Sequence, residues 1–295
     1  MQHSIFNPLS RRQFARQIAS ASLALASAGP VLAQKRRHIP IGLELYSVRK
    51  DLQNDPTGTL QKVAQMGYQC VEFFAPYYSW TPEHAKEVRA QLDALKIHCY
   101  STHNSFNSFT AGGIDKAIEL NKILGSRFIV MSSTSGDMTT VDQWKKVADT
   151  LNTANEKMAS AGLHAGYHNH DLEWKPIDGQ KPIEILAKNT DRTIMLQLDV
   201  GTCVETGNDP VAWIDSNPGR IRSLHLKDWS PQQGYHVVFG EGVCPWKKIF
   251  AAAEAKGGVE YYLIEQEGSR YPELETAKRC LAAYKDLQGS GKTSA

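Results

Sequence analysis

From Pro40 onward the chain alternates short apolar runs with amphipathic stretches, eight times over, and this repetition restricts its fold more than any other feature. The apolar runs are Ile41–Val48, Gln69–Phe74, Ile97–Ser101, Arg127–Ser132, His164–His168, Thr193–Val200, Ile221–Leu226 and Tyr261–Gln266, each short enough and apolar enough for a strand buried on both faces. Between them lie helical patterns with their own punctuation. Thr81-Pro82-Glu83 opens one helix with a capping hydroxyl, a proline in the first turn and an acid beside it. Pro210, Pro245 and Pro272 open later ones. Gly67, Gly125, Gly162 and Gly257 stand where a left-handed residue would close a helix before the next strand. Eight such units over about 250 residues predict an α/β chain folded as a closed (β/α)8 TIM barrel, in a single domain. A doubly wound open sheet would carry a glycine-rich phosphate turn after its first strand, and that place holds Tyr46-Ser47-Val48-Arg49. The barrel is assigned to residues 34–290, with 291–295 as a disordered tail.

The chain has 295 residues and a formal net charge of +2, but the excess is local. Residues 1–33 hold Arg11, Arg12 and Arg16 and no acid, so the remainder carries a net charge of −1. Ser10-Arg11-Arg12-Gln13-Phe14-Ala15, an apolar run from Ile18 to Leu32 and the exit Val31-Leu32-Ala33 form the three parts of a secretory signal. The paired arginines resemble the twin-arginine export signal, which implies the export machinery as a partner and a periplasmic or secreted protein. The apolar run is too short and too rich in Ala and Ser for a stable membrane anchor. A near-neutral body argues against nucleic acid as a partner. Five widely spaced cysteines, with no Cys-x-x-Cys, read as buried core residues rather than a disulfide framework.

In a barrel of this kind the reactive groups gather at the carboxyl ends of the strands. There the sequence places Glu44 and Tyr46, Glu72, His103 with Asn104, Ser132 with Ser133, Tyr167-His168-Asn169-His170-Asp171 with Glu173 beyond, Asp199, His225 with Lys227 and Asp228, and Glu265 with Glu267. Burying carboxylates without partners costs several kcal/mol, so such a set calls for a cation. A divalent ion held by Asp199, His225 and Glu265 would answer it, and mixed imidazole and carboxylate ligation suits Mn²⁺, Co²⁺, Zn²⁺ or Fe²⁺. Trp229 and Trp246, in the loop after the seventh strand, offer faces on which a sugar ring could stack. Gly240-Glu241-Gly242 is a weak phosphate signal without a cationic cluster beside it.

Gly42-Leu43-Glu44-Leu45-Tyr46-Ser47-Val48-Arg49, Gly166-Tyr167-His168-Asn169-His170-Asp171, Gln197-Leu198-Asp199, His225-Leu226-Lys227-Asp228 and Ile264-Glu265-Gln266-Glu267 together resemble the xylose isomerase-like barrel superfamily. The branch they resemble is the one of sugar phosphate isomerases and epimerases, which is similar to inosose dehydratase and to enzymes that process 3-keto-glycosides. The resemblance implies one divalent ion, Mn²⁺ first and Co²⁺, Zn²⁺, Fe²⁺ or Mg²⁺ as alternatives, with Asp199, His225 and Glu265 as ligands. It departs at the fifth strand, where the family's glutamate is replaced. His168 is the preferred fourth ligand, with His170 and Glu173 competing, and the standard two-glutamate epimerisation is put in question.

The expected function is an exported, metal-dependent sugar isomerase or epimerase acting on a free or keto sugar through an enediolate. Glu265, His170 and Lys227 are the catalytic candidates, and Glu44, Glu72, His103, Glu173, Trp229 and Trp246 the substrate-binding ones. Dehydration or cleavage of a 3-keto-glycoside on the same site is the alternative. A carbohydrate-binding protein without catalysis is the rival of another class; both take a small carbohydrate, and both are compatible with a homodimer.

Overall fold

The computed structural model describes residues 38–289. The expected signal segment, the closing tail and the boundaries at 33 and 290 lie outside the described residues. Eight parallel strands close into a barrel in sequence order: β1 (Ile41–Glu44), β2 (Cys70–Phe73), β3 (His98–Ser105), β4 (Phe128–Ser133), β5 (His164–His168), β6 (Met195–Asp199), β7 (Ser223–Leu226) and β8 (Tyr261–Ile264). β1 pairs with both β2 and β8, so no sheet edge remains.

The punctuation works as physics requires. Thr81 Oγ1 accepts the backbone N–H of His84 at the start of helix Pro82–Leu95. Thr140 and Gln143 form a reciprocal capping box on helix Val141–Ser160, satisfying two otherwise orphaned N–H groups. Gly67 and Gly125 close their helices with φ of 99° and 77°. Near the eighth strand the left-handed residue is Gly258 rather than Gly257, because a π-turn, Ala253–Gly257, carries the helix one residue further.

Only His164–His168 keeps both expected ends, and the first and third strands differ most from the sequence reading. The first strand stops at Glu44, since the Glu44 carboxylate accepts the N–H of Tyr46 at 2.7 Å and caps the short 3₁₀ turn Leu45–Val48. The third runs on to Ser105, and its register against β2 shifts between Val71 and Glu72. That extra residue re-aims β3 beside the mouth of the barrel, a usual place for a bulge.

Alternation of side chains then orders the barrel interior in layers. The lower layer is a plug of Cys70, Phe128, Val130, Met195, Tyr261 and Leu263. Gly42 makes room for it: a Cβ there would lie 2.4 Å from Cys70 Sγ. Two residues further along the same inward rows come Glu44, Glu72, His168, Gln197 and Glu265, with Asp199 and Lys227 above. All five cysteines are buried and unpaired. Among the described residues no helix is long and apolar enough to cross a membrane.

Candidate metal centre

Seven of the eight strands, at or near their carboxyl ends, deliver the ionisable cluster that sits on the apolar plug. His225 on β7 is its hub: Nδ1 lies 2.7 Å from Glu265 Oε2 and Nε2 lies 2.7 Å from Glu72 Oε2. His103 Nε2 approaches the same Glu72 oxygen at 3.1 Å. Gln197 donates from Nε2 to Glu72 Oε1 at 3.0 Å, while its Oε1 faces His103 Nε2 at 2.8 Å and His168 Nδ1 at 3.1 Å. The rings of His103 and His225 stack 5.0 Å apart, and His168 lies tilted against both. Ligand-type atoms of His168, Asp199 and Glu265 fall within 4.8 Å of one another, as do those of His103, His168 and His225.

Burial alone would push the His225 pKa down, but the Glu72 carboxylate and hydrogen bonds to Glu265 and Glu72 reverse this and raise it to about 10. Glu265 would be raised by burial; Lys227 and the His225 hydrogen bond instead hold it well below the carboxylate range. Glu72 also ends below its ordinary value, burial being outweighed by His103 and His225. Asp199 is raised by burial against the pull of Lys227, and Glu44 well raised by burial with Glu265 and Glu72 adding to it. His168 is driven far down by burial and the neighbouring His225 and His103, so its ring is neutral, as a ligand must be.

Two oxygens in this cluster are orphaned. Asp199 Oδ1 accepts the Thr202 N–H at 2.9 Å and caps helix Val200–Glu205. Asp199 Oδ2, fully buried, accepts no hydrogen bond, with Lys227 Nζ at 3.7 Å and His168 Nε2 at 4.0 Å. Glu44 Oε1 is likewise buried and unpartnered. Buried carboxylate oxygens are rarely left so. A divalent cation beside Asp199 would satisfy it, and the nitrogen and oxygen donors of His168, Asp199, His225 and Glu265 fit a first-row ion.

The remaining candidates divide. Lys227 is buried and ion-paired with Glu267 Oε1 at 2.7 Å, not with Asp228. His170 is exposed at the rim, its ring edge-on to His168 at 4.9 Å. Trp229 is partly exposed in the loop after β7. Four of the candidates for substrate contact lie buried among partners of their own chain. Trp246 is enclosed by Phe239 and Phe250, and its Nε1 donates to Asp228. Glu173 does not fold back to the cluster: it accepts the Tyr167 hydroxyl at 2.5 Å and the His170 N–H at 2.8 Å, fixing the loop. Glu72 and Glu44 are fully buried, the first saturated by His225, His103 and Gln197.

Three contributors were named in the sequence without a role. Gln197 lies two residues before Asp199 on one strand, and the period of two was the signal that could have found it. Glu267 is the partner of Lys227. Asp228 organises the loop after β7: its Oδ2 accepts from Gly240, Gly242 and Trp246. The Gly240-Glu241-Gly242 turn therefore wraps a carboxylate of its own chain, and a Cβ on Gly242 would lie 2.1 Å from that carboxylate.

Comparison with known proteins agrees with this architecture. The sequence profile of the xylose isomerase-like TIM barrel matches residues 60–287. Inosose dehydratase from Geobacillus thermodenitrificans (strain NG80-2) is 27 % identical over 146 residues, 43 % of this chain and 48 % of that protein. Inosose dehydratase from Clostridium beijerinckii (strain ATCC 51743 / NCIMB 8052) is 25 % identical over 176 residues, 49 % and 58 %. The chain thus spans about half the length of the curated relatives it matches. A crystal structure of a sugar phosphate isomerase/epimerase from Parabacteroides distasonis ATCC 8503 superposes with a TM-score of 0.71 and 26 % identity, over 84 % of this chain and 94 % of that one.

Proposed function

The chain belongs to the xylose isomerase-like TIM barrel family, and from that premise we propose that it is a divalent-metal-dependent enzyme removing a proton from the carbon next to a carbohydrate carbonyl. The observation that carries this reading is the Asp199 carboxylate, one oxygen committed to a helix and the other left bare between His168 and Lys227. His168, Asp199, His225 and Glu265 would hold the ion; when bound it would act as a Lewis acid on the carbonyl and an adjacent hydroxyl of the sugar.

The chain's own residues supply the rest. Lys227, kept cationic by Glu265, Asp199 and Glu267, stabilises the oxyanion that grows as the proton leaves. His170, at the rim with its backbone N–H tied to Glu173, takes that proton. Glu72 holds His225 from the side away from Glu265.

Isomerases, epimerases and dehydratases share this first step, and elimination is the outcome the site supports best. Epimerisation needs acid–base groups on both faces of the reacting carbon. Here the fifth strand presents His168; Glu44, Glu72 and Glu173 are buried, and the part-exposed Glu267 and Asp171 are ion-paired with Lys227 and Lys175. Elimination needs one face: His170 removes the α-proton and returns it to the departing oxygen, the C–H and C–O bonds break, and a C=C bond conjugated to the carbonyl forms. The relatives named inosose dehydratase favour the same outcome.

An uncharged sugar or glycoside is the substrate class. Arg49 already answers Glu267 and Glu273, and the Gly240-Glu241-Gly242 turn directs its N–H groups at Asp228 rather than at a phosphate. Export by the twin-arginine route, to the periplasm or medium, is part of the same proposal. The test incubates purified protein and Mn²⁺ with keto-sugars, 3-keto-glycosides and sugar phosphates in D₂O. An unsaturated keto product from the unphosphorylated compounds, abolished by chelator and by Asp199→Ala, is expected. Epimerised product with deuterium at the α-carbon would replace elimination by epimerisation. Sugar binding that survives chelation, with no exchange and no product, would replace the enzyme by a binding protein.

A further inference from the structure

The geometry points to Gln197 as a positioning residue that holds His168 in the Nδ1–H tautomer, with the lone pair of Nε2 turned toward Asp199. It rests on the reading of His168 as a ligand only for its consequence, not for the hydrogen-bond logic that produces it.

That logic starts at Glu72. Its two oxygens accept from His225 Nε2 and from the amide of Gln197, which lies 3.0 Å from Oε1 and 3.4 Å from Oε2, with His103 Nε2 3.1 Å from Oε2 as an ion-pair contact. A carboxylate between these groups accepts and does not donate, so the amide end facing it is the NH₂ group. Reversing the amide would set an oxygen against two carboxylate oxygens. The Ser223 hydroxyl, 3.4 Å from Nε2, takes the other direction of the same NH₂.

With Nε2 committed, Oε1 is left as an acceptor. It lies 2.8 Å from His103 Nε2 and 3.1 Å from His168 Nδ1, and both ring nitrogens must therefore carry hydrogen. A neutral imidazole carries a single N–H, so with that hydrogen on Nδ1 the lone pair lies on Nε2, the nitrogen 4.0 Å from Asp199 Oδ2. His168 then presents Nδ1–H to Gln197 and a bare Nε2 to Asp199. Residue 197 pairs with residue 168 across β5 and β6, so backbone register alone delivers the amide to the ring. A ring nitrogen opposite a ligating one, donating to a fixed acceptor, is how proteins orient a histidine ligand, and loss of the acceptor costs 10–100-fold in metal affinity in typical cases.

The test reads the tautomer directly. Two-bond ¹H–¹⁵N correlation spectra of the metal-free protein with ¹⁵N-labelled histidine, assigned with His168→Gln, are expected to show the proton of His168 on Nδ1. Gln197→Glu keeps an acceptor oxygen and is expected to keep that pattern; Gln197→Met removes it, shifts His168 toward the Nε2–H form, and weakens Mn²⁺ binding by about 10–100-fold in calorimetry. A wild-type His168 protonated at Nε2 would overturn the inference. So would an unchanged pattern in Gln197→Met, or loss of the Nδ1–H form in folded Gln197→Glu. If Gln197→Met fails to fold, the wild-type and Gln197→Glu spectra still decide. Absence of Mn²⁺ binding by the wild type would count against the proposed function alone, since the tautomer is read without metal or substrate.

Discussion

His225 on β7 and Glu265, the residue that follows β8, share a hydrogen bond of 2.7 Å at the centre of a buried cluster. Because the other nitrogen of His225 meets Glu72 at the same distance, the ring is a cation wedged between two carboxylates. In the metal-free protein its proton does part of the work of a bound ion.

The first prediction follows from that proton. Its pKa is raised to about 10 from the ordinary 6.5, so at pH 7 a cation entering between His225 and Glu265 must displace it. Calorimetric titration with Mn²⁺ in two buffers of different ionisation enthalpy should show about one proton released per site. Affinity should rise with pH and level off near pH 10. The sign for the metal-free fold is opposite: a raised histidine pKa stabilises fully below pH 6.5 and that stabilisation is lost as pH climbs through about 10. Its Tm should therefore fall across pH 7 to 10. A metal titration that releases no proton would contradict this account.

Asp199 combines two duties that substitution separates. Asp199→Ala removes both the helix cap and the bare oxygen, and should cost about 1 kcal/mol of stability together with divalent-ion binding. Asp199→Asn keeps an oxygen for the Thr202 N–H, so its chemical unfolding should lie close to wild type while metal binding and turnover are lost. Equal losses of stability in both variants would show that the cap is unimportant.

Lys227 stands 3.7 Å from Asp199 and opposes any cation placed there. Lys227→Met should bind Mn²⁺ more tightly than wild type, yet turn over about 10²–10³-fold more slowly, because the developing oxyanion loses its charge partner. Tighter binding with slower catalysis is the signature; weaker binding of both ion and substrate would instead mark a purely structural lysine.

Asp228 should matter for stability rather than for metal. Asp228→Ala leaves the N–H groups of Gly240, Gly242 and Trp246 without their acceptor. A loss of about 3 kcal/mol in denaturant unfolding is expected, with Mn²⁺ affinity within a few-fold of wild type. A stable variant with an altered metal site would reverse this assignment.

The barrel was legible in the chain because its signals are local. Apolar runs of strand length, Thr81 and Pro82 at one helix start and glycines 67 and 125 at helix ends each act within a few residues. The position of Asp199, His225 and Glu265 at strand ends was legible for the same reason, since a barrel assembles its strand ends at one mouth. What those side chains touch was not. Trp246 and Glu173 read as substrate contacts because exposure depends on neighbours far along the chain: Asp228 and Phe239 for one, Tyr167 and the turn of its loop for the other. The pairing of Lys227 with Glu267 rather than Asp228 is of this kind, as is the span of Gln197 across the lumen to Glu72, 125 residues away.

By itself, then, the sequence determined the eight-unit barrel and the strands that carry ionisable groups, because strand and helix formation are written in short-range periodicity. Only the tertiary structure decided which of those groups share protons, which are sealed in the core, and which oxygen of Asp199 is left bare. Hydrogen-bond saturation and desolvation are properties of a packed volume, and that volume exists only once the barrel has closed.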